Sequence, residues 1–340
     1  MKKKYLAVAV ALVLLMAALL PGCSSAPASA PTEETVKLRV AVADGLWGYD
    51  IASIENHKGF FKEQGLEIEW LKIPAGPSVV AALLSGDLQI GFTGPGGHTS
   101  CADGSVEVIS LDFIGNNDTI IVRKDSGINT LKDLEGHTIA AQLGTSGEIL
   151  INLVCEAEGV DKEKLDIINM DMTGCVTAFL SGKVDAIATF GVYAQNIHEQ
   201  LKNETVELCR VADYRDRSAI LGSFIATPAY IQENPDIVNR FLLGLYACQQ
   251  FRYENMDQVI EFCAEDLEQE VSAIAADRDN GVAFSVEELK DQVENGELMT
   301  YYTNQLEYFV DTETVTEVKV QPEKYVRIDL MQKAFEDYFK

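Results

Sequence analysis

The chain has 340 residues, with 53 acidic against 27 basic side chains and a formal net charge of −26 at pH 7. So acidic a surface excludes nucleic acid and anionic lipid headgroups as partners held by charge, although a local pocket can still oppose the global field. Apolar residues make up 47 % of the chain, enough to build substantial cores.

At the start, Lys2, Lys3 and Lys4 precede an apolar run from Tyr5 to Leu20 that stops at Pro21, Gly22 and Cys23. The run is shorter than the roughly 20 residues a membrane-spanning helix needs, so residues 1–22 read as a secretory signal. Leu20-Pro21-Gly22-Cys23 resembles a bacterial lipobox, whose cysteine is lipidated and becomes the new N-terminus. Pro21 departs from the small residue usual there, and the alternative is an ordinary signal cleaved near 26–30. With Cys23 acylated, each buried methylene contributes about 0.8 kcal/mol to anchoring. Residues 23–35, rich in Ser, Ala, Pro and Glu, read as a flexible tether. The expected location is outside the cell, lipid-anchored to the outer face of the cell membrane, or periplasmic. The chain beyond the signal is longer than one core supports, so two lobes are expected.

In chain order, the apolar stretch 38–42 predicts a strand, followed by a loop holding Gly45-Leu46-Trp47-Gly48-Tyr49. A helix over about 51–64 closes at Gly65. Gly76-Pro77-Ser78 precedes a helix that stops at Gly86, and the strand after it ends at Thr93 in the loop Thr93-Gly94-Pro95-Gly96-Gly97-His98. The chain is expected to cross between lobes over 119–125. The stretch 138–141 predicts a strand, with Gly144 in the loop after it. A helix over about 147–158 closes at Gly159, with Leu150, Leu153, Val154 and Ala157 on one face. Ala82-Leu-Leu-Ser-Gly-Asp-Leu-Gln-Ile-Gly-Phe-Thr93 matches Ala178-Phe-Leu-Ser-Gly-Lys-Val-Asp-Ala-Ile-Ala-Thr189 at a constant offset of 96, each read as helix, glycine stop and strand. This is an internal repeat, or a coincidence between two β/α units. The return crossing is placed at 220–227, and helices at 235–252, 256–264, 286–294 and 330–339 come after it.

Strands alternating with helices predict an α/β protein with two lobes. Each lobe is a mixed, mostly parallel sheet flanked by helices, and the C-terminal region is helical. Lobe 1 takes 36–122 and 223–340, and lobe 2 takes 123–222. Ligands of such sheets bind at the carboxyl ends of the strands, hence between the lobes.

Gly59-Phe-Phe-Lys-Glu-Gln-Gly-Leu-Glu-Ile68, Ala82-Leu-Leu-Ser-Gly86, Leu134-Glu-Gly-His-Thr-Ile-Ala140, Gly144-Thr-Ser-Gly147 and Val184-Asp-Ala186 occur in that order. Together they resemble the solute-binding proteins for nitrate, sulfonates, taurine and thiamine-precursor pyrimidines, over about 36–230. The resemblance implies a periplasmic-binding-protein fold of the second type that closes over a ligand by hinge rotation and docks on an ABC permease with its ATPase. It also implies a monomer with no cofactor, and it leaves the ligand open.

Gly144, Thr145, Ser146 and Gly147 lie between a strand and a helix, where unpaired N–H groups favour an acceptor or an anion. A plain helix cap by Ser146 is the alternative. In the first lobe the family pattern points to Ser78 and to Thr93 or Gly94, and a tight turn without ligand is the alternative for that glycine-rich loop. Thr173 is a further second-lobe candidate. Trp47, Tyr49, Phe92, Phe190 and Tyr193 are candidate aromatic walls suited to a planar ring or organic cation, with Phe92 and Phe190 also readable as core. No acid accompanies Tyr193, where relatives often carry one, which weakens a reading as an amine-bearing solute. These loops hold no Arg or Lys, so Lys72 and His98 are the nearest basic candidates.

Cys101, Cys155, Cys175, Cys209, Cys248 and Cys263 are spaced for neither a metal site nor an obvious disulfide ladder and read mostly as free, buried hydrophobes. His57, His98, His137 and His198 form no helical metal pair, and no G-x-S-x-G elbow is present. One branch of the wider family makes a pyrimidine with a cysteine-rich iron motif that is missing here, so the reading is a receptor and not an enzyme. A surface lipoprotein that senses or adheres without a transporter is the rival.

Overall fold

Short apolar runs that end in glycine-bearing loops set the architecture. The computed structural model describes residues 35–340 apart from 74, 117, 215, 216 and 218. The expected signal, Cys23 and nearly all of the tether lie outside the described residues.

The first sheet holds β1 (Val36–Val42), β2 (Leu66–Lys72), β3 (Ile90–Thr93) and β4 (Glu107–Gly115). The second holds β5 (Thr119–Arg123), β6 (Thr138–Ala141), β7 (Asp166–Asn169), β8 (Ala186–Thr189) and β9 (Thr205–Arg210), and the chain then returns to the first with β10 (Ile220–Ala226) and β11 (Gly281–Val282). The strand orders are β11-β4-β10-β3-β1-β2 and β7-β6-β8-β5-β9. In each sheet one strand runs parallel to two neighbours, β1 to β2 and β3, and β6 to β7 and β8. The other pairings are antiparallel, β10 with β3 and β4 and β11 with β4 in the first sheet and β5 with β8 and β9 in the second, so the sheets are mixed but not mostly parallel as expected: each strand that crosses from the other lobe enters antiparallel to its neighbours.

Both crossings differ from the sequence expectation. All of β5 pairs inside the second sheet and all of β10 inside the first, so the chain crosses after Gly115 and before Thr119, and returns after Arg210 and before Ile220. The expected crossings at 119–125 and 220–227, and the lobe limits at 122 and 223, are displaced accordingly. The reason is pairing: Thr119–Val122 form ladders with β8 and β9, and β10 forms ladders with β3 and β4, so both stretches are central strands and not linkers.

Helix α1 (Leu46–Lys58) starts five residues earlier than expected and stops at Gly59, whose φ of 80° ends it in the left-handed region. The Glu55 carboxylate then accepts from the N–H groups of Phe61 and Lys62 at 2.7 and 3.1 Å, starting a separate turn, Phe60–Glu63. The expected single helix over 51–64 is therefore two. Helices α2 (Gly76–Ser85) and α3 (Ser146–Glu158) are followed by Gly86 and Gly159 in the left-handed conformation, as read from the sequence. The repeat is physical: α2 and β3 recur as α4 (Met172–Leu180) and β8, and the next helix in each unit is capped by Gly94 and by Phe190, again 96 residues apart. In the second unit that helix is α5 (Gly191–Leu201).

The C-terminal part forms α6 (Pro235–Glu254), α7 (Met256–Asp266), α8 (Val286–Glu294), α9 (Glu297–Asp311) and α10 (Ile328–Tyr338). Helix α6 packs on α1, α10 and β4, in keeping with a place on the first lobe. The sequence reading leaves α9 unassigned, and α9 bridges: its Tyr302 hydroxyl pairs with Ser223 Oγ of β10 at 2.6 Å, while Tyr308 donates to the Ile149 carbonyl of α3 at 2.8 Å. The six cysteines named above are free, five of them buried and Cys155 half-buried.

Candidate functional site

The loops after β1, β3, β6 and β8 meet at the carboxyl ends of their strands, where they enclose a cleft of about 200 Å³. An engineered apolar cavity of about 150 Å³ admits benzene, so this space suits a molecule of one or two rings.

Trp47 stands in the first turn of α1 and forms the floor of the cleft. It is 6 % exposed, its indole N–H donates to the Asp277 carbonyl at 2.9 Å, and Phe113 lies against it at 5.0 Å between ring centroids. A side chain at Gly281 would come within 2.5 Å of the indole, so the glycine makes room for the ring. Phe92 stacks on Phe113 at 5.9 Å with 15° between planes. From the other lobe Phe190 and Tyr193 meet edge to face at 5.5 Å. The cleft is therefore walled by aromatic rings on both sides.

Behind Trp47 lies a fully buried ion network. Arg252 Nη1 reaches Asp50 Oδ2 at 2.5 Å and Asp112 Oδ1 at 3.0 Å, while Nη2 donates to the Asp112 carbonyl at 2.7 Å. The guanidinium sits 5.3 Å from the Trp47 ring. Gln249 donates to Asp112 Oδ1 at 3.0 Å.

Of the residues expected from sequence, Trp47, Gly94, Gly144, Thr145, Ser146, Phe190 and Tyr193 line the cleft, and so does Phe92. Four do not. Tyr49 is two residues beyond Trp47 on a helix, hence on another face, where Lys72 Nζ lies 5.4 Å from its ring. Ser78 is exposed in the first turn of α2, and Ala75 and Gly76 line the cleft instead. Thr93 is 2 % exposed and wedged behind the glycines, so that a Cβ at Gly76 would meet its Oγ1 at 2.6 Å. Thr173 is exposed on α4. His98 is 2 % exposed, its Nδ1 paired with Gln305 Oε1 at 2.9 Å, and burial lowers its pKa to about 4, so it is a neutral core residue. Lys72 points at Asp44 from outside the cleft at 3.4 Å.

Ser146 does not cap α3, because Thr145 is the N-cap residue and its hydroxyl donates to the Gln142 carbonyl at 2.7 Å. The Gly144 N–H is taken by Glu148 Oε2 at 2.8 Å. The end of α3 thus faces the cleft with part of its donor capacity already used.

Sequence reasoning missed the acids. Asp44, Asp118 and Asp277 line the cleft, whose described lining residues include no Lys, Arg or His. Asp118 lies in the first crossing, is 4 % exposed, and has one carboxylate oxygen without a hydrogen-bond partner. Burial pushes its pKa up to about 6, with the nearby Ser146 hydroxyl pulling the other way. No motif marks it; the one sequence signal is an acid between two apolar runs.

Two α/β lobes joined by two crossings, with an aromatic cleft between the carboxyl ends of their strands, define a solute-binding protein of the periplasmic-binding-protein fold. Residues 52–258 match the model of the NMT1/THI5 like family, and the chain belongs to that family. A Brucella abortus (strain 2308) protein provisionally named a binding protein is 27 % identical over 277 residues, covering 82 % of this chain and 86 % of its own. The taurine-binding periplasmic protein of Escherichia coli (strain K12) is 23 % identical over 227 residues, 66 % of this chain and 69 % of its own. The crystal structure of the periplasmic aliphatic sulphonate binding protein SsuA from Escherichia coli superposes with a TM-score of 0.64 at 20 % identity, covering 87 % of this chain and 91 % of that one.

Proposed function

We propose that this chain is the extracytoplasmic receptor of an ABC importer, which captures a small organic solute between its lobes and presents the closed form to a membrane permease and its ATPase. The observation that carries this is the cleft itself, lined from both lobes by loops at the strand ends, so that one bound molecule favours closure. The relatives support it, since the taurine-binding protein is periplasmic by name and the sulphonate-binding structure shares the fold. Closure would turn on the two crossings between the lobes.

The fold also carries catalysis elsewhere: the desulfurization enzyme DSZB superposes with a TM-score of 0.61 at 14 % identity. The receptor reading is favoured because the relatives that match most of this chain carry binding-protein names, among them the Brucella abortus protein and the taurine-binding protein. The first test is a thermal-shift screen of the full-length chain in detergent against sulfonates, nitrate, pyrimidines, aromatic amines and vitamins. A ligand at 100 times its Kd adds about 2.7 kcal/mol of stability and raises Tm measurably. A folded chain that responds to nothing in the panel contradicts small-molecule capture.

Export and anchoring through Cys23 belong to the same reading. The intact protein is expected to partition into the detergent phase and Cys23→Ala into the aqueous phase; equal partitioning of the two removes the anchor from the proposal.

A further inference from the structure

Three carboxylates border the cleft, and two of them are already satisfied. Asp44 is exposed and balanced by Lys72 at 3.4 Å. Asp277 accepts from the Leu46 N–H at 3.3 Å through one oxygen and from the Asn280 amide through the other. Asp118 differs: it is 4 % exposed, and its Oδ1 is buried without a partner. A buried acceptor left unpaired costs about 1–3 kcal/mol, more when it is charged, and among the described residues that line the cleft Asp118 alone holds such an atom.

An anion would find little here. The N-terminal end of α3 is the natural anion seat, yet Asp118 lies beside its Ser146 and Glu148 occupies the Gly144 N–H. No cationic side chain stands among the described lining residues to offset these acids. The rest of the lining is aromatic, Trp47 with Phe113 and Phe92 on one side and Phe190 with Tyr193 on the other. Ring faces carry negative quadrupole charge and attract a flat cation, the more so where water is displaced.

Resting on the receptor reading above, we propose that the solute is a flat aromatic nitrogen base bound as a cation, its ring between the aromatic walls and its N–H edge on the Asp118 carboxylate. The class includes aromatic amidines and protonated amino-heterocycles and excludes sulfonates. A cleft of about 200 Å³ limits the ring system to one or two rings.

Benzamidine and benzenesulfonate share a ring and differ in the sign of the head group. Calorimetry on the full-length chain in detergent, with taurine as a third probe, is expected to show heat with benzamidine and none with the two sulfonates. Asp118→Asn, which keeps the volume, should weaken benzamidine roughly 10- to 100-fold, the value of one charge-assisted hydrogen bond. If Asp118→Asn does not fold, the contrast between the two aromatic probes on the unaltered chain decides. Sulfonate binding with benzamidine silent, or benzamidine binding unchanged in Asp118→Asn, overturns the cation assignment and leaves the receptor standing. Silence from all three probes also overturns the assignment, and the receptor itself fails only if the wider thermal-shift panel is silent too.

Discussion

Gly96→Ala is expected to weaken solute binding at least about tenfold while leaving the unfolding temperature of the solute-free protein nearly unchanged. Gly96 belongs to the short helix Pro95–His98 after β3, and a methyl group on it would overlap the carbonyl oxygen of Gly144 in the other lobe. That neighbour is backbone, held at φ 76° between β6 and α3, and it cannot rotate away as a side-chain tip can. The nearest atom of its own lobe outside that helix's backbone is Pro77 Cδ, at 3.3 Å. The substitution therefore acts on the approach of the lobes and not on either core. Tenfold in affinity corresponds to about 1.4 kcal/mol taken from the closed arrangement, a modest figure for a backbone overlap. Calorimetry with the solute found by the screen measures it, and an unchanged Kd would mean that solute is held without the lobes meeting at Gly96.

The legible and illegible parts of the sequence divide along physical lines. The β/α repeat is legible because helix, left-handed glycine and buried strand each carry their own local signal, and Gly86 and Gly182 do sit at φ 81° and 69°. Loops at strand ends are likewise legible as the site, which is why Gly94, Gly144, Ser146 and Phe190 fall at the cleft. Which side chain of a loop turns inward is not, because it depends on helix phase. Once α1 begins at Leu46, Trp47 faces the cleft and Tyr49, about 200° further round, cannot. The crossings are misplaced from sequence because an apolar run does not say whether it pairs as a central strand or links two lobes, and Thr119–Val122 and β10 both pair. Asp118 stays invisible for the same reason: its role comes from two lobes converging on one residue, a tertiary fact with no local pattern. A continuous helix over 51–64 fits the composition, and Gly59 alone defeats it.

Arg252→Met is expected to cost roughly 3–5 kcal/mol at pH 7.5, the usual penalty for removing one partner of a buried ion network. Asp50 and Asp112 are 1 % and 3 % exposed and Arg252 is fully buried, so water cannot replace the lost guanidinium. Burial already pushes the Asp112 carboxyl above its usual range, and Arg252 is the main influence holding it down. Without that influence the pKa rises further in the folded protein than in the unfolded chain, so the folded variant binds protons more readily and the penalty shrinks as the pH falls. Urea unfolding at pH 7.5 and 5 should therefore show a smaller gap between variant and parent at pH 5, and a gap independent of pH would mean the two carboxylates are not what the arginine neutralises. Combining Arg252→Met with Asp50→Asn and Asp112→Asn should recover much of the loss, since neutral amides do not need the cation. Solute affinity is expected to fall in Arg252→Met as well, because the guanidinium lies 5.3 Å behind the Trp47 ring and helps fix the floor of the cleft. The triple variant separates the two effects: recovered stability with binding still weak would assign to Arg252 a second role in seating Trp47.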